Sequence, residues 1–316
     1  MFQRGTPPEA VYRFKHALVQ DAAHDSLLRS SRQQLHAQIA DALVTHFPEL
    51  MDSQPELLAQ HYAEAGLVEK SVTLWGKAGQ RSTARSAMAE AAAQFQKGLE
   101  QLALLSETPE RQRQELEFRS ALGVAVFALK GPGAPETGLA YASALELWTR
   151  LGSPAEFLGV PYGRLRYLLF RGELDVALGL EENLLRLSRE RNDVAGLIQG
   201  HSSIGRTLMF AGKFGSSRSH LKEMLALYNR LGDHPPIGGA PVVIGVGSQA
   251  YLGIVLFCLG YLDQGLSHSN AAAVNARSLA HPTSLGVGLA LHARLLSLAG
   301  DDAALGEQAD HLISVA

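Results

Sequence analysis

The apolar positions of this chain fall at helical spacings and are punctuated by glycines that recur with the same companions. A large apolar residue stands four positions before such a glycine, and a small residue usually stands seven before and five after it. The sets are Ala59/Tyr62/Gly66/Ser71, Leu165/Leu168/Gly172/Ala177, Gly205/Leu208/Gly212/Ser217, Gly253/Leu256/Gly260/Gly265 and Ala293/Leu296/Gly300/Leu305. A short-range repeat of this kind marks stacked helical hairpins. Glycine fits the left-handed turn between two helices, small residues let the backbones approach, and the large residue fills the crevice between them. A single hairpin cannot bury its own apolar face, so neighbours must stack. The predicted fold class is therefore all-α, a superhelical solenoid of helical hairpins.

Residues 1–10, with Gly5, Pro7 and Pro8, read as a loose lead-in, and two helices are expected after it. In the second, Leu28, Leu35, Ile39, Leu43 and Phe47 recur at spacings of seven and four, and Pro48 ends it. Ser53 three residues before Glu56, with Pro55 between, predicts a capping box opening a helix that runs to Gly66. Its partner, from Val68, carries Ser71, Trp75 and Ala78 and extends to Ser86. A helix from Met88 to Leu105 places Ala91, Phe95 and Gly98 at the same spacing without a turn glycine.

Thr108 and Pro109 start the next helix, the Gly131 to Pro135 turn closes it, and Pro135 to Leu151 supplies its partner. Ser153 and Pro154 open four clearer hairpins with turn glycines Gly172, Gly212, Gly260 and Gly300, separated by 40, 48 and 40 residues. The loop 232–241, rich in proline and glycine, accounts for the longer interval. No formal charge occurs from His234 to Leu262, but Gly253, Leu256 and Gly260 fall on the repeat template, so this stretch reads as a buried repeat helix and not a membrane span. A complete solenoid carries a polar cap, whereas this chain ends on Leu312, Ile313 and Val315. The array is thus expected to be incomplete at its C-terminus, with an open end available for self-association.

Hydrophobic residues make up 46% of the 316 and charged residues 19%, with 28 Lys and Arg against 31 Asp and Glu. This balance favours neither disorder nor nucleic-acid binding. Cys258 has no partner for an internal disulfide, and no charged segment followed by an apolar one opens the chain, so a cytoplasmic location is predicted. Gly76-Lys77 is followed by Ala78 where a phosphate loop needs Ser or Thr, and Gly245-x-Gly247 lacks the third glycine and the βαβ unit of a dinucleotide turn. None of the twelve histidines sits at ligand spacing with another His or Cys, His16 and His24 being the nearest case. Ser216, Ser217 and Ser219 lack a nucleophile elbow. No enzyme activity, cofactor or metal is predicted.

Tyr62, Gly66, Ser71, Trp75 and Ala78 match the tetratricopeptide pattern at its aromatic, glycine and small positions. The stretch from Phe14 to Ala23, with Ser26-Leu27-Leu28, Leu35-His36 and Ile39-Ala40, resembles one bacterial family, as do Pro55 to Tyr62, Glu64-Ala65-Gly66 and Ala78 to Arg81. That family comprises STAND or AAA-type ATPase regulators associated with adenylate or guanylate cyclases. The resemblance covers nearly the whole chain, is strongest over residues 12–105, and corresponds only to the family's C-terminal part. It implies a helical lead-in over 1–50, similar to the end of an ATPase-associated helical domain, and a tetratricopeptide-like solenoid over 51–316. The cyclase metal carboxylates and the ATPase phosphate loop have no counterpart here.

In tetratricopeptide folds the first helix of each hairpin lines the concave surface, and the position six before the turn glycine faces it. The resemblance puts Arg166, Arg206, Ile254 and Arg294 there. Three arginines in a column suit acidic side chains or a peptide carboxylate, and Tyr162, Phe170, Phe210 and Phe257 would add apolar anchors. The alternative is that the arginines are solvated and the aromatics belong to the inter-repeat core. The expected function is a non-catalytic protein- or peptide-binding scaffold or sensor of a bacterial signalling system. Two other readings stand beside it: a C-terminal fragment of a larger cyclase or STAND ATPase, and a regulatory solenoid for a small effector.

Overall fold

The computed structural model describes residues 2–4, 11–13, 22, 26–231, 244–279 and 282–315. The lead-in differs from expectation. Strands β1 (Phe2–Arg4) and β2 (Val11–Arg13) pair antiparallel, with Gln3 opposite Tyr12, and so satisfy each other's backbone groups. His16, His24 and the 232–241 loop lie outside the described residues.

Among the described residues everything else with regular structure is helical, and the chain divides into two compact units, residues 1–131 with 139–154 and residues 132–138 with 155–316. The first unit contains α1 (Arg29–His46), α2 (Leu50–Ser53), α3 (Pro55–Glu64), α4 (Val68–Ala84), α5 (Met88–Leu102), α6 (Pro109–Lys130) and most of α7 (Pro135–Arg150). The second contains a 3-10 turn (Ala155–Phe157) and then α8 (Gly159–Arg171), α9 (Leu174–Glu190), α10 (Val194–Phe210), α11 (Phe214–Arg230), α12 (Ile244–Cys258), α13 (Leu262–Ser278), α14 (Pro282–Ala299) and α15 (Asp302–Val315).

The repeated residues have the roles their spacing implies. Gly66, Gly172, Gly212, Gly260 and Gly300 all have φ between 71° and 87°. After each one, the next backbone N–H reaches back to the carbonyl of the large apolar residue: Leu67 to Tyr62, Glu173 to Leu168, Lys213 to Leu208, Tyr261 to Leu256 and Asp301 to Leu296, at 2.9–3.1 Å. This is the Schellman closure of a helix end.

The small residues mark where the two helices of a hairpin cross. Ser71 Oγ donates to the Ala59 carbonyl at 2.9 Å, and Ser217 Oγ donates to the Gly205 carbonyl at 2.6 Å, the same bond at the same register of two different hairpins. In α12 and α13 the pair is Gly253 and Gly265. A Cβ on Gly253 would stand 2.8 Å from the Gly265 carbonyl oxygen.

Where glycine is missing, other residues take its conformation. Ser86 has φ 59° between α4 and α5, and Asn192 has φ 52° between α9 and α10. The Ala87 and Asp193 amides then bond to the Ser82 and Ser188 carbonyls. Helix α4 accordingly stops at Ala84, and α5 ends at Leu102, short of the expected Leu105.

Two further expectations are corrected. The capping box at Ser53 does not form. Ser53 is the last residue of α2, its carbonyl accepts from Arg81, and Gln54 precedes Pro55 at the start of α3 without a side-chain cap. The apolar stripe of α1 is not a core face either: Leu28, Leu35, Ile39 and Phe47 are all exposed, and Ala40, with the partly buried Leu43, makes the contact with Leu58, Ala59, Tyr62, Leu74, Trp75 and Ala78. Thr108, by contrast, caps α6 as expected by accepting from the Arg111 amide.

A second cluster in the first unit gathers Val72, Ala91, Phe95, Leu102, Phe118 and Ala125. In the second unit, Met209, Leu221, Leu252, Val255, Leu256 and Leu295 join α10, α11, α12 and α14. The charge-free helix α12 is buried along most of its length, and no helix among the described residues is long and apolar enough to cross a membrane.

Candidate functional site

In the second unit the first helices of successive hairpins, α10, α12 and α14, pack side by side. Counting back two residues from each turn glycine gives Phe170 on α8, Phe210 on α10, Cys258 on α12 and Leu298 on α14. All four are exposed, Phe170 by 65%, Phe210 by 44% and Leu298 by 52%. Single exposed apolar side chains are ordinary, but three at one register of the packed helices α10, α12 and α14 form a strip, and Phe170 stands at the same register of α8.

Side chains from three helices converge on that strip. The Phe210 ring meets Tyr251 of α12 nearly edge-on, with centroids 6.4 Å apart and planes at 69°, the arrangement the ring quadrupoles favour. The Arg294 guanidinium of α14 stands 6.0 Å from the centre of the same Phe210 ring, where the ring face attracts a cation. Arg294 is itself exposed, so the cluster presents an aromatic surface with a positive charge at its edge.

A buried polar layer joins α9 and α10. Glu181 of α9 is 1% exposed, and its Oε1 accepts from Ser203 Oγ at 2.5 Å and from Thr207 Oγ1 at 2.8 Å, both on α10. Burial pushes this carboxyl above the usual range, against the opposing pull of the two hydroxyls and of Arg206. The second oxygen, Oε2, is buried without a hydrogen-bond partner, as is Nε of Arg206.

Tyr162 of α8 belongs to this layer. It is 9% exposed, and burial, then Glu181 and Asp193, push its phenol well above the ordinary value. Phe257 is half-buried and faces α13, its Cβ and amide lying where a side chain on Gly265 would go. Arg166 is half-buried on α8, and Ile254 is 3% exposed within the core.

The structure thus brings Phe210 and Arg294 together and sets Phe170 and Arg166 at the matching register of α8, while Tyr162 and Phe257 lie off the exposed strip. Tyr251, Cys258 and Leu298 escaped the sequence reading, which named Phe170 and Phe210 as aromatic anchors without following their register into the next two hairpins. The same count at minus two finds Cys258 and Leu298. Only the fold finds Tyr251.

Gly76 and Gly245 have packing roles. Gly76 lies inside α4, where a Cβ would strike the Phe118 ring, and Gly245 does the same against Tyr228. Among the described residues, no group of three or more His, Cys, Asp or Glu is arranged to hold a metal.

Hairpins of this register, stacked through their first helices, define a tetratricopeptide-like solenoid. No protein-family model matches the chain. A 144-residue segment is 31% identical to an uncharacterized protein of Rhizobium meliloti (strain 1021); the match takes in 46% of this chain but only 14% of that protein's length. Among solved structures, the fold is similar to the apo form of RapI, with TM-score 0.64 and 14% identity over 77% of this chain and 83% of that one. It is also similar to a STAND protein with a tetratricopeptide repeat sensor from Pyrococcus horikoshii, with TM-score 0.55 and 13% identity over 90% of this chain and 41% of that one. A Rap protein complexed with Competence and Sporulation Factor gives TM-score 0.51 and 9% identity over 94% and 97% of the two chains.

Proposed function

We propose that the chain is a binding scaffold, not an enzyme, and that the strip on the first helices of the second unit holds a protein or peptide segment with apolar and acidic side chains. The observation that carries this reading is the convergence of Phe210, Tyr251 and Arg294 from three successive hairpins on one exposed patch. Aromatic and arginine side chains dominate binding hot spots because they bury large surfaces and make directed contacts. Phe170, Leu298, Arg166 and Arg206 extend the patch along the repeat. The likeness to a Rap protein captured with a bound factor supports the same use of the fold.

The test is selection from a phage-displayed peptide library on the full chain. Enriched peptides should combine acidic with aromatic or aliphatic residues. They should lose about tenfold in affinity to Phe210→Ala or Arg294→Ala, each with unchanged helicity. Enriched peptides indifferent to both substitutions would remove the strip from consideration.

The same proposal sets the module within a cytoplasmic signalling ATPase or cyclase system, as one portion of a longer polypeptide. The small share of the Rhizobium meliloti protein that the match occupies favours this reading, and the Pyrococcus horikoshii likeness supports it. An antibody against the chain should then detect a band far above 33.9 kDa in the native cells. A band at that mass would mean a free-standing adaptor.

A further inference from the structure

A cavity of about 220 Å³ opens in the second unit between the C-terminal ends of α11 and α13 and the first turns of α12. At about 30 Å³ per water it has room for roughly seven waters, or one small organic molecule. From Val246 to Cys258 is about 18 Å along α12, so the cavity lies at the far end of that helix from the exposed strip.

Its walls have a consistent chemistry. Leu225, Val246 and Leu279 are apolar, Tyr228 adds an aromatic ring, and the polar groups are Asn229, Gln249, Asn275 and Ser278. None of the described wall residues is ionisable in the physiological range, so among them a phosphate or carboxylate would lose its hydration without gaining a counter-charge.

Asn275 Nδ2 donates to Gln249 Oε1 at 3.1 Å, and this bond fixes the two carboxamides against each other across α12 and α13. After it forms, Asn275 keeps its second Nδ2–H and its Oδ1, and Gln249 keeps both Nε2–H groups and a lone pair on Oε1, so the pair still offers a donor and an acceptor. Exchanging oxygen and nitrogen on both residues still leaves a donor and an acceptor. Ser278 Oγ spends its hydrogen on the Asn275 carbonyl at 2.8 Å and can only accept.

We propose that this cavity is a binding site for an uncharged heterocycle of roughly ten non-hydrogen atoms with a donor beside an acceptor on one edge, the nucleobase or lactam class. The free donor and acceptor of the Gln249 and Asn275 pair meet that edge, as carboxamides meet base edges elsewhere. Leu225, Val246 and Leu279 cover its apolar face. Pockets that bind small molecules combine mostly apolar walls with a few convergent polar groups, and this cavity has that composition. The site is independent of the strip, so its occupancy is a second input to the same scaffold.

The experiment is a titration of the full chain with adenine and with uracil, read by thermal melting and by ligand-observed NMR, with glucose and inorganic phosphate as comparison probes. At least one base should raise the melting midpoint saturably, as any ligand of the folded state does. Gln249→Leu should weaken it about tenfold through the lost hydrogen bond. Ser278→Trp, at an exposed position on the rim, should abolish it by filling the space while the helical circular dichroism is unchanged. No saturable response to either base, a response equal in both variants, or a response to glucose or phosphate alone would overturn the assignment.

Discussion

Ser86 adopts a backbone angle of +59° where the equivalent turns use glycine, and the strain of that conformation has no compensating contact beyond the turn's own hydrogen bonds. A side chain in the left-handed region costs roughly 1–2 kcal/mol. Ser86→Gly is therefore expected to stabilise the first unit by about 1 kcal/mol, part of the gain being returned through the freer unfolded chain. Gly212→Ala should destabilise the second unit by about 1–2 kcal/mol, since φ there is +71° and nothing lies within 4 Å of the added methyl. Urea midpoints of the two variants would show both signs.

The ionisable groups give a second prediction at the same scale. His201 of α10 and His220 of α11 meet Nδ1 to Nδ1 at 3.1 Å. Burial lowers both below the usual imidazole value, His201 further through His220 and both through Arg189, with Glu223 and Glu182 opposing. The unfolded chain thus takes up these protons first, and stability fully present above pH 6.5 is lost as the pH falls below it. Glu181 has the opposite sign: its raised value means stability present in acid and lost as the pH rises. His220→Gln should reduce the drop in melting midpoint between pH 7.5 and pH 5.5, and Glu181→Gln should raise the midpoint at pH 7.5 while changing little at pH 4.5.

At the level of the helices, the sequence was legible wherever one residue type had one geometric solution. The glycines that carried the full set of companions, Gly66, Gly172, Gly212, Gly260 and Gly300, each close a Schellman turn, whereas Gly79, four residues after Trp75 without that set, lies inside a helix. Ser71 and Ser217 show why serine is tolerated at a helix crossing, since each hydroxyl bonds the carbonyl that its backbone approaches. Legibility failed where the deciding partner was remote in the chain. Leu28, Leu35 and Ile39 have a helical period yet are exposed, and Ser53 lost its capping role because Gln54 and Pro55 already start the helix. The closest crossing gives the sharpest check. Gly253→Ala would place a methyl 2.8 Å from the Gly265 carbonyl oxygen and 3.0 Å from the Ser269 amide, both rigid backbone. Overpacking of this kind costs about 1–3 kcal/mol, whereas the exposed Gly215→Ala on α11, with nothing within 4 Å, should be neutral or stabilising. Equal melting midpoints for the two variants would mean that the crossing relaxes freely.

For the molecule as a whole, the formal charge is -3, so bulk electrostatics would repel an acidic partner and only a local arrangement can attract one. On the proposed strip that arrangement would centre on the exposed Arg294 beside Phe210, and its charged and apolar components respond differently to salt. Charge pairing at the exposed Arg294 is screened as the Debye length falls from about 10 Å at 0.1 M to about 3 Å at 1 M salt, while burial of Phe170, Phe210 and Leu298 is not. A peptide selected on the strip should therefore bind several-fold more weakly at 0.5 M than at 0.05 M sodium chloride. Arg294→Ala should bind more weakly at low salt and lose most of that salt dependence, whereas Phe210→Ala should weaken binding at both salt concentrations with the slope retained. A salt slope equal in wild type and Arg294→Ala would show that the attraction comes from elsewhere on the surface, and would leave the aromatic strip to act by apolar contact alone.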